Sequence, residues 1–143
     1  MTILPPGYRL IEDQDDIDSV AAHAFLTTSY WSRGIPLETV RRAIDGSFVV
    51  AVQHEGAQVA MARLITDYAT FAYLADVYVL EAHRGKGLSQ VMLAHLQAHP
   101  RLQGLRRWML FTRDAHGVYA KQGWESLAHP ERAMLLNFPD VYE

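Results

Sequence analysis

The sequence predicts an α/β domain, and three observations carry that prediction. Apolar residues recur at helical spacing through residues 17–45, then change to short runs bounded by turn residues through 48–80. A strand-like run, a turn crowded with glycine and cations, and a second helical pattern follow one another between Val77 and Leu96. Beyond Pro100, strand-like and helix-like segments alternate, the pattern of an α/β chain. In order, the expected elements run ααβββαβαβ.

The first helix falls in "EDQDDIDSVAAHAFLTTSYW". Ile17, Val20, Ala21, Ala24 and Phe25 keep helical spacing, and the leading acids suit the positive end of a helix dipole. The second, "GIPLETVRRAIDGS", has Pro36 near its start and Gly46 just past its end. "SFVVAVQ" and "VAMARLIT" read as strands joined by the turn "HEGAQ", and "TFAYLADVYVL" as a third strand after the Asp67–Tyr68 corner. These three are expected to pair as antiparallel neighbours. "LSQVMLAHLQAHP" sets Leu88, Val91, Met92 and Leu96 on one helix face, with Pro100 beyond its end. "LRRWMLFTR" is a strand. "DAHGVYAKQGW" is a short helix with Ala115, Val118 and Tyr119 on one stripe and Gly123 as its stop. "RAMLLNF" is the expected last strand.

The chain has 143 residues, half of them apolar, so residues 1–143 are expected to form a single domain with a real core. It has no cysteine, which excludes disulfides, a thiol nucleophile and cysteine-based metal sites, and fits the cytoplasm. "MTILPPGYRL" lacks the basic start and apolar stretch of a signal peptide, and no run approaches the roughly 20 residues of a membrane span. No membrane partner is expected. A net charge of −3 argues against a nucleic-acid partner and mildly favours cationic ones.

The densest chemical signal is Arg84-Gly85-Lys86-Gly87, between an apolar run and a helical pattern. Glycine has no Cβ, so an anion can approach the backbone closely. Successive N–H groups in such a turn make an anion nest, and the helix behind it adds its positive end. Arg84 and Lys86 add charge at the rim. The plain alternative is a solvated surface turn. A phosphate-binding P-loop is excluded because G-x-x-x-x-G-K-[ST] is missing. The dinucleotide pattern G-x-G-x-x-G fails at Gln90, and Arg106 and Arg107 stand where an acid would follow.

Arg84-Gly85-Lys86-Gly87-Leu88-Ser89 resembles the [QR]-x-x-G-x-[GA] signature of the GNAT N-acetyltransferases, with serine for glycine or alanine at the last place. "VYV" just upstream and "VYAKQGW" downstream, similar to the family's "YxxxGF", extend the resemblance, as does the element order. It implies a GNAT fold: a mixed, mostly antiparallel sheet with strands 4 and 5 splayed apart, flanked by about four helices. It implies that the N–H groups of Arg84, Gly85, Lys86, Gly87, Leu88 and Ser89 hold the pyrophosphate of acetyl-CoA, the expected cosubstrate. The backbone of Val77, Tyr78 and Val79 would pair with the pantetheine arm in the splay. The implied activity is direct transfer of an acetyl group to a primary amine of a small molecule or peptide. A non-catalytic acyl-CoA-binding module and a structural protein that pairs through an exposed strand are the competing readings. Family members often dimerise, so a homodimer is possible.

Acetyl transfer needs a deprotonated amine, yet an alkylamine with a pKa of roughly 10.4 is protonated near neutral pH. It also needs an acid for the departing thiolate. On the resemblance, Tyr119 is the candidate acid, against a packing role beside Ala115. For the base, Asp76 stands out as the only acid inside an otherwise apolar strand. Strict alternation would put Leu74, Asp76 and Tyr78 on one face. Its plain alternative is a hydrogen bond or a pair with Arg63 on the neighbouring strand. Glu81 and His83 are runners-up. Asp114 stands where many members bind the pantetheine arm through asparagine, and a helix N-cap is its alternative. Tyr30, Trp31 and Arg33 lie where the family places its acceptor loop, with Trp31 as a core lid the alternative. His95 and His99 have metal-ligand spacing, but no third ligand is evident, so no metal is expected.

Overall fold

The computed structural model describes residues 3–143. Five strands form one open sheet in the order β1 (Tyr8–Ile11), β2 (Phe48–His54), β3 (Ala57–Thr66), β4 (Phe71–Val79) and β5 (Arg107–Leu110). The first four are antiparallel neighbours, and β5 runs parallel to β4. Only the β4–β5 step therefore needs a crossover, which α3 (Leu88–Ala98) supplies. The other helices are α1 (Ser19–Leu26), α2 (Leu37–Asp45) and α4 (His116–Ala120). This is the expected α/β fold with a mixed, mostly antiparallel sheet.

Local signals explain most boundaries. The Asp18 side chain accepts from the Ala21 N–H at 3.0 Å and caps α1. Pro36 precedes α2 and Gly46 ends it. Glu55 and Gly56, both at positive φ, turn β2 into β3. Asp67 accepts N–H groups of Ala69, Thr70 and Phe71 and the Thr70 hydroxyl, pinning the β3–β4 loop. Those donors hold its carboxyl well below the usual range.

Alternation along the strands builds two cores. Val50, Val52, Ala60, Ala62, Leu64 and Leu74 face Leu88, Met92, Leu93 and Leu96 of α3. Val49, Met61 and Tyr78 face Ala22, Leu26, Val40 and Ile44 of α1 and α2. Leu74 and Tyr78 have the same parity yet lie on opposite faces, which overturns the expected Leu74–Asp76–Tyr78 row. The cause is a bulge. Met61 opposes Tyr78 and Arg63 opposes Ala75, so Ala62 stands against both Asp76 and Val77. Asp76 adopts φ 52°, and the extra residue flips the rest of β4.

Three further expectations are corrected. β1 was not foreseen: it is a four-residue edge strand behind two prolines, with only Ile11 buried. On α1 the buried positions are Ala22 and Leu26, whereas Val20 is 56% exposed. "RAMLLNF" forms no strand, and Met134 and Leu136 are 93% and 87% exposed. No helix among the described residues is long and apolar enough to cross a membrane.

Candidate active site

β4 and β5 pair only from Phe71–Leu74 against Arg107–Leu110. From the bulge onward, Ala75 to Val79 have no partner on β5, so the two strands part. Two cavities open at the parting, of about 380 Å³ and 310 Å³. Trp31, Val77, Ala115 and Tyr119 line both, so the cavities meet there.

The first cavity lies over the glycine turn. Val77, Tyr78, Val79, Arg84, Gly85, Gly87, Leu88 and Ser89 all line it. Gly85 and Gly87 sit at φ 76° and 79°, the left-handed region that glycine enters without strain. A Cβ on Gly85 would meet nothing within 4 Å, so the turn faces open space. α3 starts directly after Gly87 with no side-chain cap. The first N–H groups of a helix have no carbonyl within it, so an anion at this end meets donors and the positive dipole end. The Arg84 Nε donates to the Val79 carbonyl at 2.9 Å and ties the turn to the end of β4. His83 lines the cavity as well, and its Nδ1 lies 2.7 Å from the Tyr8 hydroxyl.

Side chains build the second cavity. Tyr30, Trp31, Tyr73, Phe111 and Arg113 line it, with Asp76 at the bulge. The Asp76 side chain is 8% exposed, and both its oxygens are engaged. Trp31 Nε1 donates to one and Arg63 Nε to the other, each at 2.8 Å. Arg63 is held in turn by the Ser47 hydroxyl, 3.1 Å from Nη1. The pair with Arg63 weighed for Asp76 is thus present, and the same carboxylate still lines the cavity. Trp31 is 40% exposed, a rim residue rather than a core lid. The Arg113 guanidinium lies 3.9 Å from the Tyr30 ring centre, and the Arg113 backbone N–H donates to the Tyr30 hydroxyl at 3.3 Å.

Tyr119 stands where the cavities meet. Burial pushes its phenol pKa above the ordinary value of 10.0, and the nearby Tyr30 adds to the rise. It therefore keeps its proton through the neutral range.

Not every candidate reaches the site. Lys86 is exposed and lines neither cavity. Arg33 likewise sits on the outside of the α1–α2 turn. Asp114 lines the second cavity, not the one over the glycine turn, and caps no helix. Instead the Thr112 hydroxyl accepts from the Ala115 N–H at 3.0 Å, because α4 begins two residues beyond Asp114. Phe25 and Val118 in the first cavity, and Tyr73, Phe111 and Arg113 in the second, were missed. Only the position of Phe111–Arg113 just past a strand end hinted at them.

Away from the cavities, Glu12 is the third group absent from the sequence pattern of His95 and His99. The three offer ligand atoms within 4.8 Å of one another. The Arg101 N–H donates to His99 Nδ1 at 3.2 Å, and His99 Nε2 lies 3.5 Å from a Glu12 carboxylate oxygen. The bond from His95 holds the Glu12 carboxyl below its usual range.

The model of the acetyltransferase (GNAT) family matches residues 11–124. A GNAT-family candidate acetyltransferase from Xanthomonas campestris pv. campestris, known as a crystal structure, is 44% identical. The match covers 96% of this chain and 97% of that one, with a TM-score of 0.91. A candidate acetyltransferase from Gibberella zeae is 46% identical over 70 residues, 47% of this chain and 38% of that relative's length. A crystal structure from Clostridium acetobutylicum, of a predicted acetyltransferase with acetyl-CoA, is 18% identical. It covers 91% of this chain and 94% of that one at a TM-score of 0.68, a likeness of fold.

Proposed function

The chain belongs to the acetyltransferase (GNAT) family, and from that premise we propose that it transfers an acetyl group from acetyl-CoA to a primary amine of a small molecule or peptide, both bound at once. The observation that carries this reading is the meeting of two cavities at Tyr119 and Val77. One suits an anionic, backbone-paired donor, and the other a compact acceptor.

In this reading the N–H groups from Arg84 to Ser89 hold the pyrophosphate, and the unpaired stretch of β4 takes the pantetheine amides. The open space at Gly85 and the uncapped start of α3 fit that load. Bound acetyl-CoA supplies an activated acyl group and a thiolate leaving group. Asp76, paired with Arg63 and Trp31, sets a carboxylate at the second cavity that draws in the ammonium form of the acceptor. Both Asp76 oxygens are engaged by Trp31 and Arg63, so Asp76 takes the acceptor's proton through water, which passes it to solvent. The amine, once neutral, attacks the acyl carbon; the carbon–nitrogen bond forms, the carbon–sulfur bond breaks, and the nitrogen gives its second proton to solvent through water. Tyr119 gives its proton to the departing sulfur and is reprotonated from solvent. The gain from holding both reactants in adjoining cavities adds to this chemistry.

The test is release of free CoA from acetyl-CoA in the presence of a panel of primary amines. Amine-dependent release, with the acetylated amine found in equal amount, supports the reading. Tight acetyl-CoA binding with no release for any amine would favour the non-catalytic acyl-CoA-binding module.

A further inference from the structure

His95 and His99 have metal-ligand spacing, and the sequence offers nothing nearby to complete them. The fold brings the missing group. Glu12 comes directly after β1, and its carboxylate meets the last turn of α3. Each carboxylate oxygen faces one imidazole. Oε2 lies 2.5 Å from His95 Nε2, and Oε1 lies 3.5 Å from His99 Nε2. One ligand atom from each residue lies within 4.8 Å of the other two. Hydrogen bonding accounts for the His95 contact. It accounts poorly for the His99 contact, which is longer than a good N–H···O bond although both groups face each other.

These spacings are close to what a first-row metal ion needs. Bonds of about 2.0–2.2 Å put neighbouring ligand atoms about 3.0–3.5 Å apart in octahedral or tetrahedral geometry. Glu12 and His95 then separate by at most about 1 Å, and the two imidazole nitrogens close by no more than about 2 Å. The Glu12 and His95 side chains are 46% and 32% exposed and have room for that shift. His99 is 13% exposed and packs edge-on against Phe48, so it is the fixed member. Two imidazoles and a carboxylate suit zinc, cobalt, nickel or copper(II), whereas magnesium and calcium take oxygen ligands. The hydrogen bond from His95 leads the effects that hold the Glu12 carboxyl below its usual range, so the oxygen ligand is an anion at neutral pH. One cost is visible. A metal on His99 Nε2 leaves that ring's proton on Nδ1, which then cannot accept from the Arg101 N–H. One hydrogen bond at the surface is exchanged for a metal–nitrogen bond.

We propose that Glu12, His95 and His99 form a site for a divalent transition-metal ion, zinc foremost, with water completing its coordination. The ion joins the end of β1 to the end of α3. Of the four residues of β1 only Ile11 is buried, so a link there reinforces a weakly buried edge. None of the three ligands lines either cavity, and they stand at the end of α3 away from the glycine turn, so the role is structural.

The experiment uses the full chain without a histidine tag, freed of metal by a chelator and dialysis. Calorimetric titration with zinc chloride should show one ion per chain with a dissociation constant of about 10 μM or tighter, and magnesium chloride should show no binding. Glu12→Gln keeps the size of the side chain and removes its charge, and His95→Ala removes a ligand. Losing a group that only orients a ligand costs about 10–100-fold in affinity, so each of these should raise the zinc dissociation constant by at least about 100-fold. His129→Ala removes a histidine that pairs with Glu131 elsewhere on the surface, and should leave the constant within about twofold. Zinc at roughly 100 times its dissociation constant should raise the unfolding temperature of the wild type and leave that of His95→Ala unchanged. In NMR spectra zinc should shift the ring signals of His95 and His99 and spare those of His129. A wild-type chain that binds no zinc would overturn the proposal. So would zinc affinity that either Glu12→Gln or His95→Ala leaves within about twofold of the wild type. Ring shifts at other histidines in place of His95 and His99 would overturn it too.

Discussion

The two cavities share four residues but are made of different material. The first takes most of its lining from one stretch, Val77 to Ser89, at a turn whose glycines set its shape, with Phe25, Trp31, Ala115, Val118 and Tyr119 added from elsewhere. The second draws Tyr30 and Trp31 from the α1–α2 turn, Asp76 from β4, and Phe111 and Arg113 from beyond β5. Backbone sites tolerate changes of side chain as long as the turn keeps its conformation. A site of converging side chains depends on every neighbour that aims them. The expected consequence is separable damage: changes in the turn lose the donor, and changes in the second cavity lose the chemistry.

The largest effect is expected from Gly87→Asp. Aspartate is among the residues that enter the left-handed region, so the fold should survive φ 79°. Its carboxylate would stand where phosphate is proposed. Like charges a few ångströms apart cost about 1–4 kcal/mol, so the acetyl-CoA dissociation constant should rise by at least about 10- to 100-fold. Titration of the folded variant measures this. Unchanged affinity would remove the glycine turn as the donor site and erase the contrast.

Tyr119→Phe comes next, because the residue belongs to both cavities. The ring and its packing stay and the hydroxyl goes. Turnover should fall by about 10- to 100-fold with acetyl-CoA affinity unchanged, the low end of general acid catalysis, since a thiolate is already a fair leaving group. Burial raises the phenol pKa, so the acid form persists past pH 10. The wild-type rate should hold through neutral pH and decline only above pH 10, with no such decline in the variant. Equal rates, or the same alkaline limb in both proteins, would assign Tyr119 to packing and the proton to water.

Asp76→Asn sharpens the contrast from the other side. It leaves Arg63 without its anion and removes the negative end of the second cavity. Turnover with the best amine should drop by about 10-fold. The acetyl-CoA dissociation constant should stay within about twofold, because that cavity is set by the turn. A variant that loses donor affinity and turnover equally would mean that the bulge, not the charge, is what Asp76 supplies. The smallest effect is expected at Arg33, which is exposed and lines neither cavity. Arg33→Ala should change neither constant by more than about twofold. A larger rise in the Michaelis constant for the amine would draw the α1–α2 turn into the acceptor contacts.

How far the site could be read beforehand follows the same division. The glycine turn was legible because its signal is local: two glycines, two cations and a helix start within six residues. Asp76 was legible as an oddity, a lone acid in an apolar run, but its orientation was not. Alternation assigned it to a row with Leu74 and Tyr78, and a single extra residue against Ala62 broke the row. Tyr73 gave no signal, because a tyrosine within a strand is ordinary, and Arg113 gave only its place just past a strand end. Glu12 shows the same limit, meeting His95 across 83 positions of sequence.

By itself the sequence determined the order and kind of most elements, including α2 between Pro36 and Gly46, the β2–β3 hairpin at Glu55–Gly56, and the turn into α3. Each is fixed by φ/ψ preferences and apolar spacing among near neighbours, and those travel with the chain wherever it folds. Only the tertiary structure decided where β4 leaves β5, which face receives Asp76, and that β1 closes one edge of the sheet. It also decided that the strand signal of 132–138 finds no partner within its own chain. These outcomes depend on pairing and burial between segments tens of residues apart, and a strand's own residues do not specify which edge will accept it.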